Sequence, residues 1–295
     1  WPGELGCFAD VHVPGLRRLA DAVHAHGAVG LVQIFHGGLR ADASVTGTAP
    51  WTSSVDASVP NLVPGARVAT TDDLARVIDQ FAAGAARCHA AGWDGVEIHG
   101  AHGYLLTQFL SAHNTRTDGW GGDLVGRARL LREVVRAVRA RVPANFVVVV
   151  RLSPEDAGNA NGMDLDECLI VAGQVAADGA DAIHVSLPDS RKPTRKRPDE
   201  FATAAMRAVL PADVPILVAG RIWSRADADA ALAHGADAVA LARAAIAHPD
   251  WPQQVAQAAT ASPRLPPFTA AEMAARDVAP GFTAYLGHWR GLIDG

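Results

Sequence analysis

The chain has 295 residues, 49% of them hydrophobic and 19% charged, an ordinary globular composition that is long enough to bury a large core. Its formal charge of -5 leaves no basic footprint for nucleic acid, and no apolar run reaches the roughly 18 residues that span a bilayer, so neither partner is expected. Cys7, Cys88 and Cys168 are odd in number and far apart, which argues against a disulfide framework or a CxxC site and fits a reducing, cytoplasmic setting.

In chain order, the apolar spacing of Leu16, Leu19 and Val23 predicts a helix over 12–26, stopped by Gly27. AVGLVQIF predicts a buried strand over 28–35 that carries the Gln33 amide to its top, where it needs a partner. Residues 41–70 are rich in Ser, Thr, Pro and Gly and read as one long loop. Thr70 or Thr71 caps a helix whose Leu74, Val77, Ile78, Phe81 and Ala85 recur at helical spacing. Strands are then expected at 95–99, 146–152, 182–186, 215–219 and 238–241, and helices at 126–142, 165–177, 201–209 and 224–234.

Strand and helix alternate throughout, which means parallel βα units closed into a barrel or wound into an open sheet. The polar groups favour the barrel. Gln33, His99, Arg151, Ser186, Gly220 and Arg243 all fall at the carboxyl ends of successive strands, which converge on one mouth in a (β/α)8 TIM barrel. No GxGxxG follows a strand, which counts against a Rossmann unit. A barrel of about 250 residues spends roughly 31 on each βα unit, so six strands imply that the first two, about 60 residues, are lacking. The expected division is an amino-terminally incomplete barrel over 1–262 and an extension over 263–295, packed on the barrel or on a partner subunit.

The strand over 95–99 runs into the densest chemistry. Side chains two apart share a face, so Glu97 and His99 point one way and Val96 and Ile98 the other. His102 and Tyr104 follow within one Gly-punctuated turn, placing two imidazoles and a phenol at a strand end, where loops carry function. A lone His at such a place is usually a hydrogen-bonded structural group; two His and a Tyr in six residues suit catalysis better than packing. Zinc is the weaker reading, and no metal is expected, because no further ligand falls at a metal spacing.

EIHGAHGYLLTQFLS (97–111), followed by NTRTDGWGG (114–122) and GRARLLREVV (126–135), resembles the central signature of the Old Yellow Enzyme family, the FMN-dependent NAD(P)H:flavin oxidoreductases. The resemblance implies FMN as cofactor, with NADH or NADPH as electron donor. It implies that Gln33 reads the flavin pyrimidine edge, that Arg151 stands beside it, and that Gly220 with Arg221 and Ala242 with Arg243 form two phosphate-binding turns. Ala242 stands where many relatives have Gly. It further implies that His99 and His102 hold the carbonyl oxygen of an enone substrate while Tyr104 delivers a proton to its α carbon. Arg116, Thr117 and Asp118 match an RTD turn read as holding its loop. The basic run at Arg191, Lys192, Arg195, Lys196 and Arg197 is either a solvated loop or a contact for a phosphate or an acidic substrate. The tail, with Phe268, Phe282, Tyr285 and Trp289, reads as a wrapping or partner-binding extension, and Arg290 as reaching a neighbouring mouth in a homo-oligomer. A single-domain ene-reductase is the reading. Its alternatives are a phosphate-binding barrel lyase or isomerase, and a barrel fragment without flavin or activity.

Overall fold

The computed structural model describes residues 4–55, 59, 61–156, 162–258 and 263–294. Among them, β1 (Leu31–Ile34), the short β2 (Trp51–Thr52) and β3 (Arg67–Val68), β4 (Gly95–Gly100), β5 (Val147–Leu152), β6 (Ala182–Ser186), β7 (Ile216–Ala219) and β8 (Ala238–Ala240) form two sheets. The main sheet is parallel throughout and ordered β1-β4-β5-β6-β7-β8; β2 and β3 pair separately. Each strand pairs with the next βα unit in sequence, which gives an α/β TIM-barrel-like arrangement.

The helices are α1 (Val13–His24), α2 (Ala43–Thr46), α3 (Thr71–Ala90), α4 (Leu105–Leu110), α5 (Leu124–Arg141), α6 (Leu165–Ala177), α7 (Ala202–Val209), α8 (Arg225–Ala233), α9 (Arg243–Ala247), α10 (Trp251–Gln257), α11 (Ala270–Ala274) and α12 (Pro280–Leu286). Of the two capping candidates for α3, Thr70 is the one used: its hydroxyl accepts from Asp73 N at 3.2 Å while Asp73 Oδ2 accepts from Thr70 N at 2.9 Å.

Strand periodicity divides the sheet. Val96, Ile98, Val148, Val150, Ile183, Val185, Ile216 and Val218 are fully buried on the face covered by α3, α5, α6 and α7, and they make the main core. The opposite face carries the alternate positions. The parallel register sets Gln33 beside Glu97, then His99 beside Arg151 and Arg151 beside His184, so polar side chains from β1, β4, β5 and β6 share one interior.

Two local expectations change. The strand over 28–35 is shorter and, with Leu31 38% exposed, only partly buried, because β1 lies at the sheet edge and pairs with β4 alone. The loop over 41–70 contains α2, β2 and β3. The apolar LLTQFL after the ring-bearing turn is the helix α4, with Leu105, Leu106, Phe109 and Leu110 buried. In the tail, Phe268, Met273, Leu286 and Leu292 bury a second small core against Ala247, while Phe282, Tyr285 and Trp289 stay exposed. Among the described residues no helix is long and apolar enough to cross a membrane.

Candidate functional site

β4 delivers His99 to the sheet's carboxyl end, and the chain then turns through His102 and Gly103, both left-handed at φ 61° and 71°. Glycine adopts that conformation freely, whereas His does so at a cost and must be held. Here both ends of the residue are held: Arg40 Nη1 donates to the His102 carbonyl at 2.8 Å, and His102 Nε2 lies 2.7 Å from Ser186 Oγ. The turn folds the rings together. His99 and His102 centroids are 5.0 Å apart, His99 and Tyr104 5.1 Å, and Phe35 packs its edge on Tyr104 at 5.1 Å.

Beneath the rings runs a polar chain. Arg151 Nη2 donates to Ser186 Oγ at 3.0 Å, so Ser186 bridges the guanidinium to His102 and leaves His102 Nδ1 as its unengaged ring nitrogen. Deeper, the Nδ1–H of His184 donates to Glu97 Oε2 at 2.6 Å, and the Gln33 amide donates to the other Glu97 oxygen. Burial pushes the Glu97 carboxyl up, but the bonds from His184 and Gln33 outweigh it and hold it below the ordinary carboxylate range. Burial, reinforced by neighbouring cations, pushes His99 down to about 3 and His102 down to about 4, so both imidazoles are neutral at pH 7. Burial also draws Arg151 below its ordinary value, with Glu97 opposing.

Past β7 and β8 lie the two expected phosphate turns. A cavity of about 300 Å³ is lined by His102, Arg151, Ser186, Gly220, Arg221, Ala242 and Arg243 among others, so residues distant in sequence share one space with the imidazole turn. Gly220 is required by packing: a Cβ there would meet Ser190 N at 2.7 Å and Leu187 O at 2.9 Å. Ala242 has φ -118° and ψ -87°, so it avoids the positive φ that would demand Gly but lies outside the main α and β regions.

Not every expected residue joins this space. Gln33 does not line the cavity; it reaches the site through Glu97. Arg116 donates to Ala69 O at 2.8 Å and Ser53 O at 3.3 Å and pairs with Asp118, which ties down its loop. In the basic run, Arg191 is paired with Asp189 and Asp227, Lys196 with Asp164 and Asp166, and Arg197 with Glu200 and Asp166. Those charges are already neutralised, which favours the solvated-loop alternative. Arg290 is exposed on the tail. The sequence places Glu97 on the His99 face but assigns it no role, and His184 and Arg40 were not anticipated. For His184 a signal existed, since it stands two before Ser186 on β6 and so shares its face. For Arg40 there was none.

A family model described as the NADH:flavin oxidoreductase / NADH oxidase family matches residues 1–261. The chain belongs to that family, the Old Yellow Enzyme family. It is 33% identical over 254 residues to the NADH:fumarate oxidoreductase of Klebsiella pneumoniae, covering 82% of this chain and 27% of that protein. It is 32% identical over 250 residues to the probable NADH-dependent flavin oxidoreductase YqiG of Bacillus subtilis, covering 82% and 67%. Among solved structures it matches the old yellow enzyme homologue of Zymomonas mobilis with a TM-score of 0.75 and 26% identity, over 90% of this chain and 77% of that one. The chain therefore spans about a quarter of the Klebsiella protein and most of the Zymomonas chain. The family's cofactor is FMN and its electron donor NADH or NADPH.

The residues present fit such a group. Arg151 Nε, His99 Nδ1 and His184 Nε2 are buried around the site with no hydrogen-bond partner. Buried polar atoms are normally satisfied, so an orphaned guanidinium nitrogen on a residue that lines the cavity marks a place where a polar ligand belongs. Gly220, Arg221, Ala242 and Arg243 line the same cavity, so two guanidinium groups and two loop backbones are available to an anionic group there.

Proposed function

We propose that this chain is the FMN-binding barrel of an NAD(P)H-dependent reductase acting on the activated C=C bond of α,β-unsaturated carbonyl compounds. On this reading the six parallel strands are strands three to eight of an eight-stranded barrel over 1–262, with 263–295 as an extension on it. The observation that carries the reading is the meeting of His99, His102 and Tyr104 beside a cavity walled by Arg151, Arg221 and Arg243. The name of the Klebsiella relative, a fumarate reductase, supports an alkene conjugated to a carbonyl group as the acceptor.

Arg221 and Arg243, with the backbone of Gly220 and Ala242, would hold the cofactor phosphate and Arg151 its polar ring edge, with Gln33 acting on the site through Glu97. FMN held there would supply the hydride, at the expense of NAD(P)H. The protein's part is placement and proton control. His99 and His102 are neutral, and each donates one ring N–H to the substrate carbonyl oxygen, drawing electron density from the alkene. Ser186 fixes His102 by its Nε2, so His102 donates from Nδ1. Tyr104, tilted against His99, gives its phenolic proton to the α carbon.

Tyr104→Phe is expected to slow reduction of cyclohexenone by about 10²–10⁴-fold in stopped-flow kinetics while anaerobic NAD(P)H still bleaches the flavin absorption. Reduction at the full rate by that variant removes Tyr104 from the mechanism, and a protein that purifies without flavin and takes up none removes the reading itself.

A further inference from the structure

Arg40 lies in the 3-10 turn Gly38–Arg40 directly after β1. That turn is clamped to the imidazole turn: Gln108 Oε1 accepts from Leu39 N at 3.2 Å while Gln108 Nε2 donates to Gly103 O at 2.8 Å. A Cβ at Gly38 would sit 2.3 Å from Gln108 Oε1, so the clamp has no slack. The Arg40 guanidinium is therefore placed rather than free, 4.6 Å over the Tyr104 ring. It makes one hydrogen bond, to the His102 carbonyl, and has no carboxylate partner among the described residues. A guanidinium has five N–H donors, and most of these are uncommitted.

The surroundings leave that charge uncompensated. Glu97, the carboxylate of the interior row, is taken by His184 and Gln33. Asp156 lines the same cavity of about 490 Å³ as Arg40 and His102, but it has an interaction of its own. Arg40 and Arg151 both press on His102, which burial has already pushed down to about 4. A neutral enone needs no second cation for its binding once two imidazoles donate to its carbonyl oxygen. Such a cation suits an anion, and a planar fork suits a carboxylate.

Resting on the ene-reductase reading, we propose that Arg40 is a specificity-determining residue that holds a carboxylate carried on the α-carbon side of the substrate alkene, so that the preferred substrates are anionic. The position follows from Tyr104. On that reading the phenol addresses the α carbon, and the guanidinium stands 4.6 Å over the phenol's ring, on the side of the alkene that the α carbon occupies.

The test uses the FMN-loaded protein and two compounds, cyclohex-2-enone with a carboxymethyl group on its α carbon and the methyl ester of the same compound. The wild type is expected to favour the acid over the ester by about ten- to a hundredfold in kcat/KM, mainly through KM, the size of one charge-assisted contact. Arg40→Gln is expected to bring the acid-to-ester ratio close to one, and Arg40→Lys to restore part of it. Calorimetry with the saturated keto acid should show the same ranking without turnover. An acid-to-ester ratio near one in the wild type overturns the proposal. So does a ratio unchanged in Arg40→Gln, which would leave Arg40 as a brace for His102, or a loss confined to the KM for NADPH, which would assign the charge to the nucleotide phosphate. Bound, reducible flavin that reduces neither compound would count against ene-reduction instead, and keto-acid calorimetry would still decide Arg40.

Discussion

His99 is 4% exposed, its Nδ1 has no partner, and burial pushes it down to about 3. An imidazole in the unfolded chain titrates near 6.5, so below that pH the unfolded chain binds a proton that the native site refuses. Stability is thus fully present above about pH 6.5 and is lost as pH falls toward about 3; His36, pushed down to about 4 by burial, adds to the loss in the same direction. Urea unfolding at pH 7 and pH 5 should give the lower midpoint at pH 5, and His99→Asn should flatten part of that dependence. An unaltered pH slope in the variant would assign the effect elsewhere. The rings of His99, His102 and Tyr104 were legible because they occupy one turn, where spacing alone puts them together. The Glu97–His184 bond joins residues 87 apart, and the Arg40–His102 bond joins residues 62 apart. No local pattern marks either pair.

At the scale of elements, Arg127 is the joint between α4, α5 and α6. Its side chain is 6% exposed and donates to Glu167 Oε2 at 2.9 Å, to Leu110 O at 2.8 Å and to Gly122 O at 3.1 Å. Arg127→Met keeps most of the stem but strands two carbonyls and a carboxylate that is only 29% exposed. It is expected to cost about 3 kcal/mol, read as a lower urea midpoint at an unchanged slope; Glu167→Gln, which keeps an acceptor, should cost about 1 kcal/mol. A loss below about 1 kcal/mol in Arg127→Met would mean that the joint is not needed. Helical spacing foretold α3 and α5 because each is long enough to show a stripe: α3 buries Leu74, Val77, Phe81 and Ala85, and α5 buries Leu131, Val134, Val135 and Val138. The six residues of α4 are too few to separate from a turn, and the apolar run at β1 reads as buried although its edge position leaves it half open.

Over the whole molecule, a chain with a net charge of -5 places Arg151, Arg221 and Arg243 on one cavity and Arg40 on a second that shares His102 with it. Such a site selects anions despite the sign of the total, because local charges count for more than distant, screened ones. FMN at about a hundred times its dissociation constant is expected to add about 2.7 kcal/mol and to raise Tm by about 5 °C, followed by far-UV circular dichroism. Riboflavin, which lacks the phosphate, should raise it clearly less; equal shifts would show that the turns at Gly220–Arg221 and Ala242–Arg243 hold no phosphate. The amino-acid order by itself determined the alternation of strand and helix, the family signature and the ring cluster of one turn, since each depends on residues within a few positions of one another. Only the tertiary structure decided that Ser186 of β6 joins Arg151 of β5 to His102 beyond β4, that Glu97 is bound to His184 and Gln33, and that Arg40 lies over Tyr104. These meetings depend on strand register and on how each loop settles over its neighbours, which are set by the packing of all the elements at once.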